Sequence, residues 1–230
     1  MVQRKIVILT GAGVSAESGL QTFRASDGLW HEHRVEDVAT PEAFARDPAL
    51  VQDFYNMRRA QGAKAEPNPA HHALARLQAD YDGEVVLITQ NVDGLHEAAG
   101  AKVIHMHGQL DQALCATCGQ CWAAPLEMQA QHPCPACNAP TGRPDIVWFG
   151  EMPYHMDDII DHLYDATLFA AIGTSGRVYP AAGFVREAKS VGAWTVELNL
   201  DPSDVARDFD DHIIGPASKT VPAWVDSLLA

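Results

Sequence analysis

Ile6-Val-Ile-Leu-Thr10-Gly11-Ala-Gly13-Val-Ser-Ala16 is the stretch on which the fold turns. Its first half is a short, almost continuously apolar and largely β-branched run, the pattern of a parallel strand covered on both faces. Its second half has the G-x-G-x-x-A form of a dinucleotide fingerprint placed directly after that strand. Small residues there let the backbone approach a pyrophosphate at a helix N-terminus, where unpaired N–H groups and the helix dipole favour negative charge. Taken alone, the same residues also suit a plain strand-to-helix turn. A dehydrogenase continues with a second strand and an acidic residue about 20 positions on, to hold the ribose. Residues 25–45 contain no such strand, and none of Asp27, Glu32 and Glu36 ends one. Dinucleotide binding therefore fits, whereas hydride-transfer architecture does not.

Outward from this turn, Val85–Thr89, Ala166–Ile172 and Trp194–Leu198 read as further buried strands. Between them, Asn68 and Pro69 read as N-cap and first residue of a helix carrying Ala70, Ala73, Leu74 and Leu77 on one face. Residues 181–190 and 221–229 are two more helices. Strands alternating with helices predict an α/β fold, a Rossmann-like parallel sheet with right-handed crossovers. Two stretches break the rhythm. Residues 24–66 show helical pieces, including 49–61, and no convincing strand. Residues 109–145 are rich in Cys, Pro, Gly and Gln, with little hydrophobic periodicity. Both are expected to be insertions into a single domain spanning 1–230.

The chain has 230 residues, 47% hydrophobic and 20% charged, which excludes disorder, collagen and coiled coil. A chain of this length buries roughly 70–75% of its unfolded surface, so a hydrophobic core is available without disulfides. No apolar run nears the ~18 residues of a membrane span, and the apolar start is too short for a signal peptide; a cytoplasmic location is expected. Sixteen Lys and Arg against thirty Asp and Glu give a net charge of −14. That acidity argues against nucleic acid and anionic lipid, and favours Lys-rich polypeptides, besides serving solubility.

Cys115-x2-Cys118, fifteen residues, then Cys134-x2-Cys137 has the paired-knuckle spacing of tetrahedral zinc. Four thiolates close the coordination sphere, so such a zinc is structural. Cys118-x2-Cys121 is a second possible pair, but the set 115/118/134/137 uses two separate knuckles.

Strand 85–89 runs into Gln90-Asn91-Val-Asp93, polar residues at the end of a parallel strand where α/β sheets bind ligands. Val103-Ile-His105-Met-His107-Gly108 follows; on a strand, His105 and His107 would share a face. With Thr22-Phe23-Arg24, Ile146-Val147-Trp148-Phe149-Gly150, Gly173-Thr174-Ser175 and Glu197-Leu-Asn199, these motifs resemble, in order and over nearly the whole chain, the sirtuin family of NAD-dependent protein deacylases. The resemblance implies a mobile cofactor loop at about 24–40 and helical and zinc insertions closing a cleft over NAD. It places Gly11, Ala12, Gly13, Ser15, Thr22, Phe23 and Arg24 on the cofactor loop, and Gln90, Asn91 and Asp93 beside the nicotinamide and its ribose. Gly173, Thr174, Ser175, Asn199, Leu200 and Asp201 fall on the adenosine side, with Ala217 near the adenine. Val147–Gly150 and 176–179, including Val178, would pair with an extended peptide by strand addition.

The implied chemistry consumes NAD. Nicotinamide leaves, the acyl-lysine oxygen attacks the ribose carbon, and His107 as general base deprotonates a ribose hydroxyl so that water completes hydrolysis. Free lysine, nicotinamide and O-acyl-ADP-ribose are the products, and a monomer acting on acylated lysine in proteins or peptides is expected. A mono-ADP-ribosyltransferase would instead leave labelled protein, a dehydrogenase would produce reduced nicotinamide, and a zinc-ribbon interaction module would leave NAD intact. On helix 49–61, Tyr55 and Arg58 are three apart and share a face, with Leu50, Phe54 and Met57 supplying an adjacent apolar one. Pattern alone fits an ordinary amphipathic helix. The resemblance implies the Tyr-x-x-Arg pair of class III sirtuins, which reads the distal carboxylate of succinyl- or malonyl-lysine while acetyl-lysine is still accepted. Arg59, turned by about 100° around the helix, is the weaker candidate.

Overall fold

The computed structural model describes residues 4–21, 29, 30 and 33–230. In chain order its elements are β1 (Lys5–Thr10), β2 (Leu29–Trp30), β3 (His33–Arg34), α1 (Val35–Val38), α2 (Pro41–Arg46), α3 (Pro48–Gly62) and α4 (Pro69–Asp80). Next come β4 (Glu84–Thr89), α5 (Leu95–Ala98), β5 (Val103–His105), β6 (Gly108–Cys115), β7 (Cys121–Ala123), β8 (Gly142–Ile146) and α6 (Met156–Tyr164). The chain ends with β9 (Leu168–Ile172), α7 (Phe184–Ser190), β10 (Trp194–Asn199), β11 (Asp211–Ile214) and α8 (Ala217–Leu229).

Six strands form one parallel sheet in the order β11-β10-β9-β1-β4-β5. Strand alternation divides their side chains between two apolar layers. Val7, Leu9, Phe169 and Ala171 pack with Ile159 and Leu163 of α6 and Phe184 and Val185 of α7. Ile6, Ile8, Ala170 and Ile172 pack with Leu74 and Leu77 of α4 and Val221 and Val225 of α8. Each fully buried aliphatic side chain contributes about 1.5–3 kcal/mol, which is why uninterrupted apolar runs become central strands. Asn68 caps α4 as expected, accepting from Ala70 N at 2.9 Å with Pro69 in the first turn. Its side-chain amide also donates to Val14 O at 2.8 Å, tying the helix start to the glycine turn.

Several expectations need correction. Residues 24–66 do contain strand, the two-residue hairpin β2–β3. Residues 109–145 are not irregular: β6, β7 and β8 form an antiparallel sheet with a register shift between Gly108 and Ala113. Polar residues on both faces of this small sheet hide its period. Helix α8 begins four residues before Val221 because Glu17 accepts from Ser218 N at 3.0 Å and satisfies a first-turn donor from 201 positions away. Residues 181–183 are a 3-10 turn preceding α7. Met57, expected on an apolar face, is 37% exposed.

The chain runs β1→β4→β5 to one side of the sheet and β9→β10→β11 to the other, so the crevice beyond the C-terminal ends of β1 and β9 is the switch point where such sheets bind ligands. Two turns meet there. Gly13 N donates to Gly173 O at 2.8 Å, and a Cβ on Gly13 would lie 2.7 Å from the Gly173 Cα. Gly173 itself has φ +63°. Only glycine allows this approach.

Candidate active site

A cleft of ≈ 470 Å³ opens over this switch point. One wall is formed by α3, His107, and Ile146 at the end of β8 with the segment that follows it. The other is formed by the turns after β1, β4, β9 and β10. Gly11, Ala12, Gly13, Ser15, Gln90, Asn91, Asp93, His107, Gly173, Thr174, Ser175, Asn199, Leu200 and Asp201 all line it, as do Tyr55, Arg58, Val147, Trp148, Phe149, Gly150 and Val178. Ala217, the first residue of α8, is not among the residues that line it. Thr22, Phe23 and Arg24 lie outside the described residues.

His107 and His105 do not share a strand face. Strand β5 ends at His105, and Met106-His107 turn into β6 through Gly108, whose φ is +80° and whose Cβ would sit 2.0 Å from Asp145 O. This turn sends His107 into the cleft. Its Nδ1 lies 3.1 Å from Gln90 O; a carbonyl can only accept, so Nδ1 carries the proton and Nε2 keeps its lone pair. Burial lowers the imidazole's pKa, opposed by the Gln90 bond, so the neutral base prevails at neutral pH.

Segment 90–93 is held on several sides. Asn91 N donates to Thr89 Oγ1 at 3.0 Å, and its amide donates to Gly11 O at 3.2 Å and Ser15 Oγ at 3.1 Å. Gln90 Nε2 donates to Thr174 Oγ1 at 3.0 Å, and Asn199 Nδ2 to Thr174 O at 2.8 Å, linking the β4, β9 and β10 turns. Asp93 is buried, which raises its pKa, while Leu95 N, Ser15, Arg58 and His105 pull it down.

Helix α3 stands between the cleft and the small sheet. Toward the cleft it presents Tyr55, fully buried, and Arg58, 9% exposed. Tyr55 Oη accepts from Trp148 Nε1 at 3.0 Å, which leaves the phenol proton to donate elsewhere. Burial pushes the phenol up to about 12 and Arg58 down to about 10; Arg58 gains back some stabilisation from Tyr55 and Asp93. Toward the small sheet, Arg59 Nε donates to Leu126 O at 3.3 Å. Its Nη2 donates back to Asn56 of the same helix.

The Sγ atoms of Cys115, Cys118, Cys134 and Cys137 lie within 4.8 Å of one another. The pairs 115/137 and 118/134 are 3.7 and 3.8 Å apart. Zn–S bonds of about 2.3 Å in a tetrahedron require edges of about 3.8 Å, so the four thiols fit one zinc ion. Cys121 sits on β7, exposed, outside the cluster. In segment 147–150, Val147 N, Trp148 N and Phe149 N already donate to His107 O, Glu151 Oε2 and Ala39 O.

Against known proteins, the family model of the Sir2 family matches residues 11–180. The chain belongs to the Sir2 family. This sirtuin is 54% identical over 230 residues to an NAD-dependent protein deacylase of Bdellovibrio bacteriovorus, covering 98% of this chain and 97% of that one. It is equally, 54%, identical to one of Salmonella typhimurium, covering all of this chain and 85% of the relative. A solved Sir2 homologue–NAD complex superposes with a TM-score of 0.90 at 38% identity, covering 98% of this chain and 90% of that one. Sir2Af2 bound to a myristoylated histone peptide gives 0.76 at 30%, with 98% and 91% covered. NAD as cofactor stands with family membership, and the four cysteines of this sirtuin suit one zinc. Among the described residues no helix is long and apolar enough to cross a membrane.

Sequence reasoning placed Arg177 within 176–179 but missed Asp204 and the ion pair they form on the cleft wall at 2.8 Å. Twenty-seven positions separate them, and no local pattern marks either. It also left Glu97 unread, although Glu97 bonds His105.

Proposed function

We propose that this sirtuin is an NAD-dependent protein-lysine deacylase that removes succinyl and malonyl groups, and also acetyl, releasing nicotinamide and O-acyl-ADP-ribose. The observation that carries the reading is one cleft with two kinds of group on its wall. His107, with a free Nε2, stands beside the Gln90–Asp93 segment and the glycine turns; Tyr55 and Arg58 line the same cleft from α3. NAD supplies an electrophilic ribose carbon once nicotinamide departs. Gly11, Ala12, Gly13 and Ser15, with Thr22, Phe23 and Arg24, make up the cofactor loop. Gln90, Asn91 and Asp93 border the nicotinamide end, and Gly173, Thr174, Ser175, Asn199, Leu200 and Asp201 the adenosine end. His107 Nε2 takes a proton from a ribose hydroxyl, its ring steadied by the Gln90 carbonyl.

Val147–Gly150 and Val178 flank the substrate peptide. The acyl chain reaches Tyr55 and Arg58 past Trp148. Because Trp148 donates to the phenol oxygen, Tyr55 is free to donate its proton to a carboxylate, and the Arg58 fork adds charge-assisted bonds. Acetyl-lysine fits the same channel and leaves the polar end unmatched. The test compares succinylated and acetylated versions of one peptide, with and without NAD, by mass spectrometry. Arg58→Met is expected to lower desuccinylation at least about tenfold and to spare deacetylation; equal losses would overturn the acyl assignment. His107→Ala is expected to remove nearly all turnover on both peptides, and retained turnover would overturn its role.

A further inference from the structure

Two histidines, two positions apart, hang from adjacent carbonyls of the same segment. His107 Nδ1 meets Gln90 O, and His105 Nδ1 meets Asn91 O, both at 3.1 Å. Their second nitrogens meet opposite fates. That of His107 is left for the cleft, whereas His105 Nε2 lies 2.6 Å from Glu97 Oε1. His105 therefore has an acceptor on each side of its ring. A neutral imidazole has a single N–H, so in either tautomer one acceptor would confront a ring lone pair; the imidazolium donates to both. Between a histidine and a glutamate the imidazole is the stronger base by about two pKa units, so the shared proton belongs on the ring.

We propose that His105 is an imidazolium strapped between Glu97 and the Asn91 carbonyl, and that it is a positioning residue for the wall of the nicotinamide pocket. The inference rests on the reading above that residues 90–93 border the nicotinamide end of NAD. Asn91 is otherwise steadied by neutral partners, Thr89, Gly11 and Ser15. The bond from His105 is charge-assisted and acts directly on the backbone between Gln90 and Asp93.

The charges around His105 favour the cation. Glu97 and His96 face it from α5, and Asp93 from the segment itself. Across a second small cleft, which His105 lines, stand Asp145 of β8, Tyr154, and His155 and Asp158 at the start of α6. Buried His96 is pushed down to about 3 and carries no charge at neutral pH. For His105, burial lowers the pKa, but Glu97, the Asn91 carbonyl and Asp93 together raise it above the ordinary histidine value. A folded pKa above the unfolded one means that the strap is complete at low pH and is lost as pH rises through the folded value. His107, with its pKa shifted downward, governs the opposite, acid side of the profile.

The test has a spectroscopic and a kinetic arm. Imidazole nitrogen NMR of the intact protein is expected to show His105 doubly protonated at pH 7, and Glu97→Gln to bring its titration to lower pH. The KM for NAD is expected to rise about three- to tenfold as pH passes through the His105 titration, with kcat changing less. His105→Gln, whose amide can reach Glu97 but not Asn91, should show the raised KM at every pH. His105→Asn, whose amide occupies the Nδ1 position, should keep a low KM and lose its alkaline rise. A neutral His105 at pH 7, or an alkaline KM rise that Glu97→Gln leaves in place, overturns the proposal. Asn91→Ala separates this from the cofactor reading: an unchanged KM for NAD in that variant would sink the reading of 90–93, while the NMR titration would still report the state of His105.

Discussion

The six-stranded parallel sheet and the three-stranded antiparallel sheet of β6, β7 and β8 owe their order to different forces. The first buries β1 completely, every residue from Lys5 to Thr10, between two helical layers. The second buries less: Leu110 of β6 and Ile146 of β8 join a smaller core, β7 is exposed at both ends, and the four-cysteine cluster begins at Cys115, the last residue of β6. From α3 it receives apolar packing of Val51, Phe54 and Tyr55 with Leu110 and Ile146, and polar bonds from Gln52 to Gly142 O, Asn56 to the Met128 backbone and Arg59 to Leu126 O. The small sheet nevertheless adjoins the cleft at two points. His107 precedes its first strand, Val147 follows its last, and Val147 N donates to His107 O at 3.0 Å. The small sheet with its cysteine cluster thus joins two segments of one cleft wall, and the large apolar core carries the turns of the opposite one.

Removing the metal should separate the two regions most sharply. Structural zinc sites are worth on the order of 10 kcal/mol to small modules. Chelation, or Cys134→Ser, is expected to erase amide exchange protection across 108–146 and abolish turnover, while β1 and β4 stay protected. Loss of protection in both sheets together would show one cooperative unit and break the comparison. Phe169→Ala acts from the other side. Phe169 is 1% exposed in the core beneath the parallel sheet, and its truncation should cost about 3–5 kcal/mol in denaturant unfolding without changing zinc retention. The smallest effect should come from the seam. Asn56→Ala removes two hydrogen bonds to Met128 and should cost roughly 1–3 kcal/mol, appearing as faster metal loss to a chelator with the parallel sheet unaffected. Unchanged metal loss would show that α3 merely rests on the module.

Much of this was legible from local pattern. The run 6–16 contains both a buried strand and the turn that ends it, because burial on two faces and close backbone approach each demand particular residues in a row. The four cysteines are legible because a metal imposes its spacing on the chain. Strands β6 and β8 were not, since their partners and their metal supply the order that apolar alternation usually advertises. The first turn of α8 was hidden as well: Glu17, far away in the chain, supplies the bond that makes it a helix. Arg58 and Arg59 look alike on the page. One faces the cleft and the other the cysteine-bearing loop because the helix turns about 100° per residue between two different neighbours.

The sequence by itself determined the parallel sheet, the glycine turn and the metal-binding set. Those follow from backbone stereochemistry, apolar burial and ligand spacing, which act over a few neighbours. Tertiary structure alone decided what two similar histidines do. Gln90 O takes one proton of His107 and leaves a base, whereas Asn91 O and Glu97 claim both sides of His105. A side chain's protonation state is set by the groups brought against it, and those come from parts of the chain that only folding joins.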